Sequence, residues 1–227
     1  MNAIELSHVT KHFPGFTLQD LSLTVPSGTI CGLVGENGAG KSTTTRLLDG
    51  LSERGVKATF FLIGAQIENN GDVVRRMDEE GHQVGIHTFD HVKLTDLSRT
   101  DFDAQVETTR ALLKSTLGHN DFLLRPPYGM LDESVKAWAG CPIILWSIDP
   151  EDWRDQNTDR GVRGGVAGAR DGGIILMHDI FPESVDAALQ IVDQLHQQGY
   201  LFCTVDELFA ARGLPLEAGE MYWNAYP

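Results

Sequence analysis

From residue 51 onward, short apolar runs rich in β-branched residues alternate with longer stretches whose apolar positions recur every three or four residues. The first pattern is that of buried parallel strands and the second that of amphipathic helices packed on them. The predicted strands are Ala58–Ile63, Gln83–Ile86, Ile143–Ile148, Gly173–Met177 and Leu201–Thr204, with a weaker one at Phe122–Arg125. Thr100, with Asp103 three residues later, predicts a capping box opening a helix whose apolar face is Phe102, Val106, Leu113 and Leu117. Another helix is predicted from Ser184 to Gly199, with Val185, Leu189, Val192 and Leu195 inward. The alternation predicts an α/β fold of β-α units around a parallel sheet.

Parallel sheets and barrels carry their functional groups at the carboxyl ends of strands, and the polar residues here fall there. His87 follows one run, Arg125 ends another, and Asp149 and His178 end two more. His87-Thr-Phe-Asp-His91 spaces two imidazoles by four, so that on a helical turn or tight loop both reach one ion. Asp90 inside the pair reads equally well as a solvated loop acid. Arg125-Pro-Pro-Tyr128-Gly129 is a stiff turn that can orient a carboxylate and offer a backbone N–H to an oxyanion. Asp149-Pro-Glu-Asp152-Trp153 supplies a carboxylate and an aromatic wall, although the tryptophan fits an ordinary core as well. Leu176-Met-His178-Asp179 sets an imidazole beside an acid, suited to protonating a leaving amine.

Charge and composition narrow the setting. Thirty-two acids against eighteen bases leave a formal charge of −14 over 227 residues, which opposes a sequence-independent grip on nucleic acid or anionic lipid. No apolar run approaches a membrane span, and the first residues lack the basic and apolar segments of an export signal, so the chain as written is expected to be cytoplasmic. Cys31, Cys141 and Cys203 are odd in number, far apart and flanked by apolar residues, as buried free thiols are. Nothing in the sequence bears on oligomeric state.

Taken in order, the His87, Arg125, Asp149 and His178 motifs resemble the later motifs of the NodB-homology polysaccharide deacetylases. The approach Leu51–Gly64, the stretch Glu79–His91 and the tail Val205–Gly213 are similar to that family as well. The resemblance implies a distorted parallel β/α barrel and hydrolysis of acetyl groups from sugars with zinc or another divalent metal. It implies His87 and His91 as metal ligands, His178 as general acid, and Arg125 and Asp149 as residues that tune the catalytic base. The Tyr128 backbone would hold the oxyanion, and Trp153 and Leu176 would line the acetyl pocket. Within the family chitin, peptidoglycan and acetylated xylan are all substrates, and the enzymes are commonly secreted or cell-wall associated; the sequence does not choose among the polymers.

That family's first motif, a Thr-Phe-Asp-Asp-Gly run, is absent. Residues 1–48 instead resemble the opening of an ABC-transporter ATPase, with strands at Ile4–Phe13 and Leu18–Val25 and a phosphate-binding loop at Gly35–Ser42. Gly38, Gly40, Lys41 and Ser42 would there address the phosphates of ATP and its Mg²⁺. This divides the chain into an N-terminal β extension with a foreign first unit, residues 1–50, and a deacetylase domain, residues 51–227. Leu47-Leu48-Asp49-Gly50-Leu51 can end the first helix of either family, and counting back from it sets Glu36 and Asn37 where the two aspartates belong. Thr29–Val34 then takes the first barrel strand and Ser42–Leu51 the first helix. Glu36 becomes the expected base and Asn37 the expected third ligand, a pair that predicts impaired deacetylation. The competing readings are an ATP-binding module on a barrel scaffold and a fusion with no activity.

Overall fold

The computed structural model describes the backbone of residues 2–13, 16–26 and 30–35, and residues 41–226 with their side chains. Strand β1 (Asn2–Phe13) pairs antiparallel with β2 (Phe16–Pro26), close to the two opening strands expected. β3 (Ile30–Gly35) leads to α1 (Lys41–Glu53), then β4 (Thr59–Leu62), α2 (Gly64–Ile67), α3 (Gly71–Glu79) and β5 (Gln83–Ile86). After α4 (Arg99–Leu117) and α5 (Glu133–Trp138) come β6 (Ile143–Ile144), the short α6 (Asp152–Asp155), α7 (Thr158–Gly168) and β7 (Ile174–His178). The chain ends through α8 (Pro182–Gln197), α9 (Val205–Arg212) and β8 (Met221–Tyr222).

β3 sits between β4 and β7, and β4 pairs onward with β5, all parallel. Single parallel bridges continue from Ile86 to Leu124 and from Leu124 to Ile143, and Ile148 bridges to Ile175 of β7. Followed strand to strand, the pairings return to β3. Successive strand residues point to opposite faces, and the packing follows. Ile175 and Met177 lie with Phe60, Ile86, Leu124 and Ile143 in the core beneath the helices. Ile174, Leu176, Phe61, Leu123 and Ile144 form a second, inner cluster, which Val205, Leu208 and Phe209 of α9 also join. Phe61 fits inside because its register partner on β5 is Gly85, where a Cβ would lie 2.7 Å from the ring. Full burial of a side chain of this size stabilises by about 1.5–3 kcal/mol.

α1 is tied to α8. Leu189 packs directly on Gly50, Arg54 holds Asp193 by two bonds of 2.7 and 2.9 Å, and Arg46 pairs with Asp186. The unit β3–α1 is thereby built into the sheet and the helical layer that surround the later motifs. Cys141 is buried and Cys203 half-buried, both free, with burial pushing the Cys203 thiol up to about 12; Cys31 lies outside the residues with described side chains. Among the described residues no helix is long and apolar enough to cross a membrane.

Several boundaries differ from the sequence reading. The cap of α4 is Ser98, which accepts the Asp101 N–H, while Asp103 pairs with Arg99 one turn back. α8 starts at Pro182 because proline at the first helical position forfeits no bond. It ends at Gln197, and Gly199 takes a left-handed φ of 88° beyond it. Leu201–Thr204 forms no strand: Thr204 caps α9 in a reciprocal box with Glu207, and the Val205 N–H donates to Thr59 Oγ1. The predicted Ile143–Ile148 run is split: Ile143–Ile144 forms β6, and the chain rejoins the sheet at Ile148, which pairs singly with Ile175.

Candidate active site

The paired imidazoles stand on a loop rather than a helix. β5 ends at Ile86, the His87 N–H donates to Leu62 O at 2.9 Å, and the chain then turns with positive φ at Thr88 (64°) and His91 (57°). α2 holds this turn from below, since the N–H groups of Gly64 and Ala65 donate to Thr88 O and Phe89 O. His87 and His91 end with ring centroids 4.9 Å apart. His87 Nδ1 lies 2.6 Å from Arg125 O, a carbonyl that only accepts, so Nδ1 carries the proton and Nε2 keeps its lone pair. Burial, followed by the neighbouring His91, holds His87 well below the ordinary imidazole value, and the ring is neutral.

The Arg125 turn closes one wall. Tyr128 adopts φ 60° and is exposed, and its ring meets His91 edge-on at 5.0 Å. Arg125 is fully buried. Its Nε and Nη2 donate to Ile144 O and Leu145 O at 3.2 and 3.0 Å, and its guanidinium lies 4.2 Å from the Phe61 ring centre. Asp149, which the resemblance sets with Arg125 as a residue tuning the base, is exposed and accepts the Glu151 N–H at 2.8 Å.

The carboxylate that meets His178 is Asp152, three residues on. Glu151 takes φ 54° and turns the chain into α6, which buries Asp152 against β7 and leaves Trp153 half exposed. Asp152 Oδ1 lies 2.9 Å from His178 Nδ1, and its Oδ2 accepts the His178 backbone N–H at 2.9 Å. Asp179, the acid beside His178 in sequence, faces away: it is buried, accepts from Thr44 Oγ1 of α1, and burial pushes its carboxyl above the ordinary range. The sequence motif contained Asp152 but offered no signal that it outranks Asp149.

His87, His91, Arg125, Tyr128, Asp149, Trp153, Leu176 and His178 line one open cleft of about 570 Å³. Pro126 of the Arg125 turn completes it with Trp146, Ile180 and Phe181, which the sequence reading did not single out. Glu36, Asn37, Gly38 and Gly40 lie outside the described residues. Lys41 and Ser42 are exposed at the start of α1, where Lys41 Nζ pairs with Asp72 at 2.7 Å. A divalent cation fits the described donor set: two imidazoles side by side, that of His87 with its tautomer fixed by a carbonyl, as a metal ligand requires. Among the described residues no group of three His, Cys, Asp or Glu gathers to hold an ion.

Residues 22–140 match the family model for polysaccharide deacetylase. The chain is 39% identical over 189 residues to the peptidoglycan-N-acetylglucosamine deacetylase PgdA of Listeria monocytogenes, covering 83% of this chain and 40% of that protein. It is 33% identical to the chitooligosaccharide deacetylase of Sinorhizobium fredii, covering 73% of this chain and 85% of that one. The solved peptidoglycan deacetylase PdaC from Bacillus subtilis superposes with a TM-score of 0.79 at 33% identity, covering 82% of this chain and 92% of that one. This chain spans about two fifths of the length of the first curated relatives it matches. The family match begins at Ser22 and takes in β3 and α1, and nothing in the comparisons supports an ATPase-derived segment there.

Proposed function

The chain belongs to the polysaccharide deacetylase family, and from that premise we propose that it hydrolyses acetyl groups from an acetylated polysaccharide, with turnover held down by Glu36 and Asn37. The observation that carries this reading is the convergence of the His87–His91 pair and the His178–Asp152 pair on one cleft. We read the closed series of parallel strands as a distorted barrel whose first strand and helix, β3 and α1, belong to the same domain as residues 51–227.

His87 and His91 would hold a divalent cation, zinc by the preference of imidazole donors, with Asn37 as the third donor. Such an ion supplies Lewis-acid polarisation of the acetyl carbonyl. The chain's own groups do the rest. Glu36 takes a proton from the attacking water, and the new C–O bond forms at the acetyl carbon. His178, held by Asp152 through Nδ1, gives a proton from Nε2 to the leaving group as its bond to carbon breaks. Acetate and a free amine or hydroxyl result. Leu176 and Trp153 enclose the acetyl methyl, and the Tyr128 N–H faces the developing oxyanion.

The weak point is Asn37, a carboxamide that brings no negative charge to the ion. Glu36→Asp with Asn37→Asp is expected to raise both Zn²⁺ affinity by calorimetry and acetate release from acetylated oligosaccharides, by at least about tenfold. If the unaltered chain already binds zinc tightly and the double substitution changes neither quantity, the impairment is wrong. If neither form releases acetate, the deacetylase reading itself fails.

A further inference from the structure

We propose that Gln105, in α4, is a positioning residue for the imidazole pair, its carboxamide setting the curvature of the His87–His91 loop; this rests on the reading of that pair as metal ligands. The loop needs such a device. Thr88 and His91 both adopt left-handed φ values, which are unfavourable for side chains other than glycine and persist only where the surroundings over-determine them. Between them the N–H groups of Phe89 and Asp90 point the same way, and both donate to Gln105 Oε1, at 3.0 and 2.9 Å. Gln105 Nε2 in turn donates to Asp90 Oδ2 at 3.1 Å.

The loop is thus gripped from two sides. α2 takes the carbonyls of Thr88 and Phe89, and one side chain of α4 takes the N–H groups of Phe89 and Asp90. The grip is rigid on the helix side, because Phe102 and Val106, on either side of Gln105, are fully buried. A carboxamide suits the position chemically: one end must accept two N–H donors and the other must donate to a carboxylate. Glutamate in its place would keep the first function and set two negative charges together.

Two variants of the full chain separate positioning from packing. Gln105→Met removes every polar contact at similar volume. Gln105→Glu combined with Asp90→Asn reverses the polarity of one bond and keeps all three, since the new carboxylate accepts the two N–H groups and the side-chain amide introduced at position 90. Zn²⁺ affinity is read by calorimetric titration and loop order by hydrogen exchange at the Phe89 and Asp90 amides, a measurement that needs no metal. Gln105→Met is expected to weaken zinc by about 10–100-fold and to speed exchange at those two amides while α4 stays protected. The paired exchange of residues should restore both. Unchanged affinity in Gln105→Met, or a paired variant as weak as Gln105→Met, overturns the proposal. If the unaltered chain binds no zinc and His87→Ala changes nothing, the metal reading has failed instead, and the amide exchange alone decides whether Gln105 sets the loop.

Discussion

Asp152 grips His178 twice, its Oδ1 2.9 Å from the ring Nδ1 and its Oδ2 2.9 Å from the backbone nitrogen of the same residue. The double contact fixes which ring nitrogen faces the cleft. Asp152→Asn keeps the shape but replaces a carboxylate by a group of no charge and ambiguous orientation. In the Glu36→Asp/Asn37→Asp background we expect acetate release to fall by about 10²-fold, whereas Asp149→Asn, at an exposed carboxylate, changes it little. Equal effects at the two positions would contradict the assignment.

His82 predicts a pH effect on stability. Its Nδ1 accepts the Ala58 N–H at 3.0 Å, and burial, reinforced by Lys57, lowers its pKa from 6.5 to about 4. The unfolded chain therefore takes up a proton below 6.5 that the folded chain refuses until about 4. The stability this group contributes is present above 6.5 and lost as pH falls through that window, at about 1.4 kcal/mol per pH unit. Asn in place of His82 can accept the same N–H without titrating. The gap between wild type and His82→Asn in urea midpoint should close on acidification; parallel profiles would count against it.

Arg160 clamps the short helix that carries Asp152 and Trp153. Its guanidinium donates to Glu151 O at 2.7 Å, Glu151 Oε2 at 2.9 Å and Asp155 Oδ1 at 2.7 Å, between residues 151 and 156, both at positive φ. Arg160→Met should cost about 1–3 kcal/mol in denaturant unfolding and speed amide exchange in α6. Lysine cannot span both partners and should rescue little.

Gly64 is where the imidazole loop meets α4. A Cβ there would stand 2.4 Å from Thr109 Oγ1 and 2.6 Å from Phe89 Cδ2. Gly64→Ala is expected to destabilise by about 1–3 kcal/mol through overpacking and to weaken zinc binding, because the loop must shift. A variant as stable and as tight-binding as wild type would show that the contact relaxes freely.

Four of the predicted strands and the polar residues at their ends were legible because buried parallel strands read as apolar runs, whereas Phe122–Arg125 pairs only at Leu124 and Leu201–Thr204 forms no strand. Gln83–Ile86 matched to the residue, and His87 and His178 follow from it and from the β7 run. α1 and β3 were legible as strand, turn and helix, since either family shares that order. Asp152 was not legible: Asp149-Pro-Glu-Asp152 offers two acids, and the left-handed turn at Glu151 decides which is buried. Gln105 was equally hidden, a polar residue on a helix sixteen positions from the Phe89 amide it binds.

By itself the sequence determined the order of the main strands along the chain and the placing of the imidazoles at strand ends, because periodicity and residue type are local properties. The setting of Glu36 and Asn37 in place of the aspartate pair is an expectation from sequence register, and the lowered turnover drawn from it is our proposal. Only the tertiary structure decided that Asp152 rather than Asp149 or Asp179 partners His178, that Arg125 grips carbonyls, and that β3 closes the series of strands between β4 and β7. Those outcomes depend on which groups burial leaves without water, and a buried donor or acceptor must find its partner across the fold rather than along the chain.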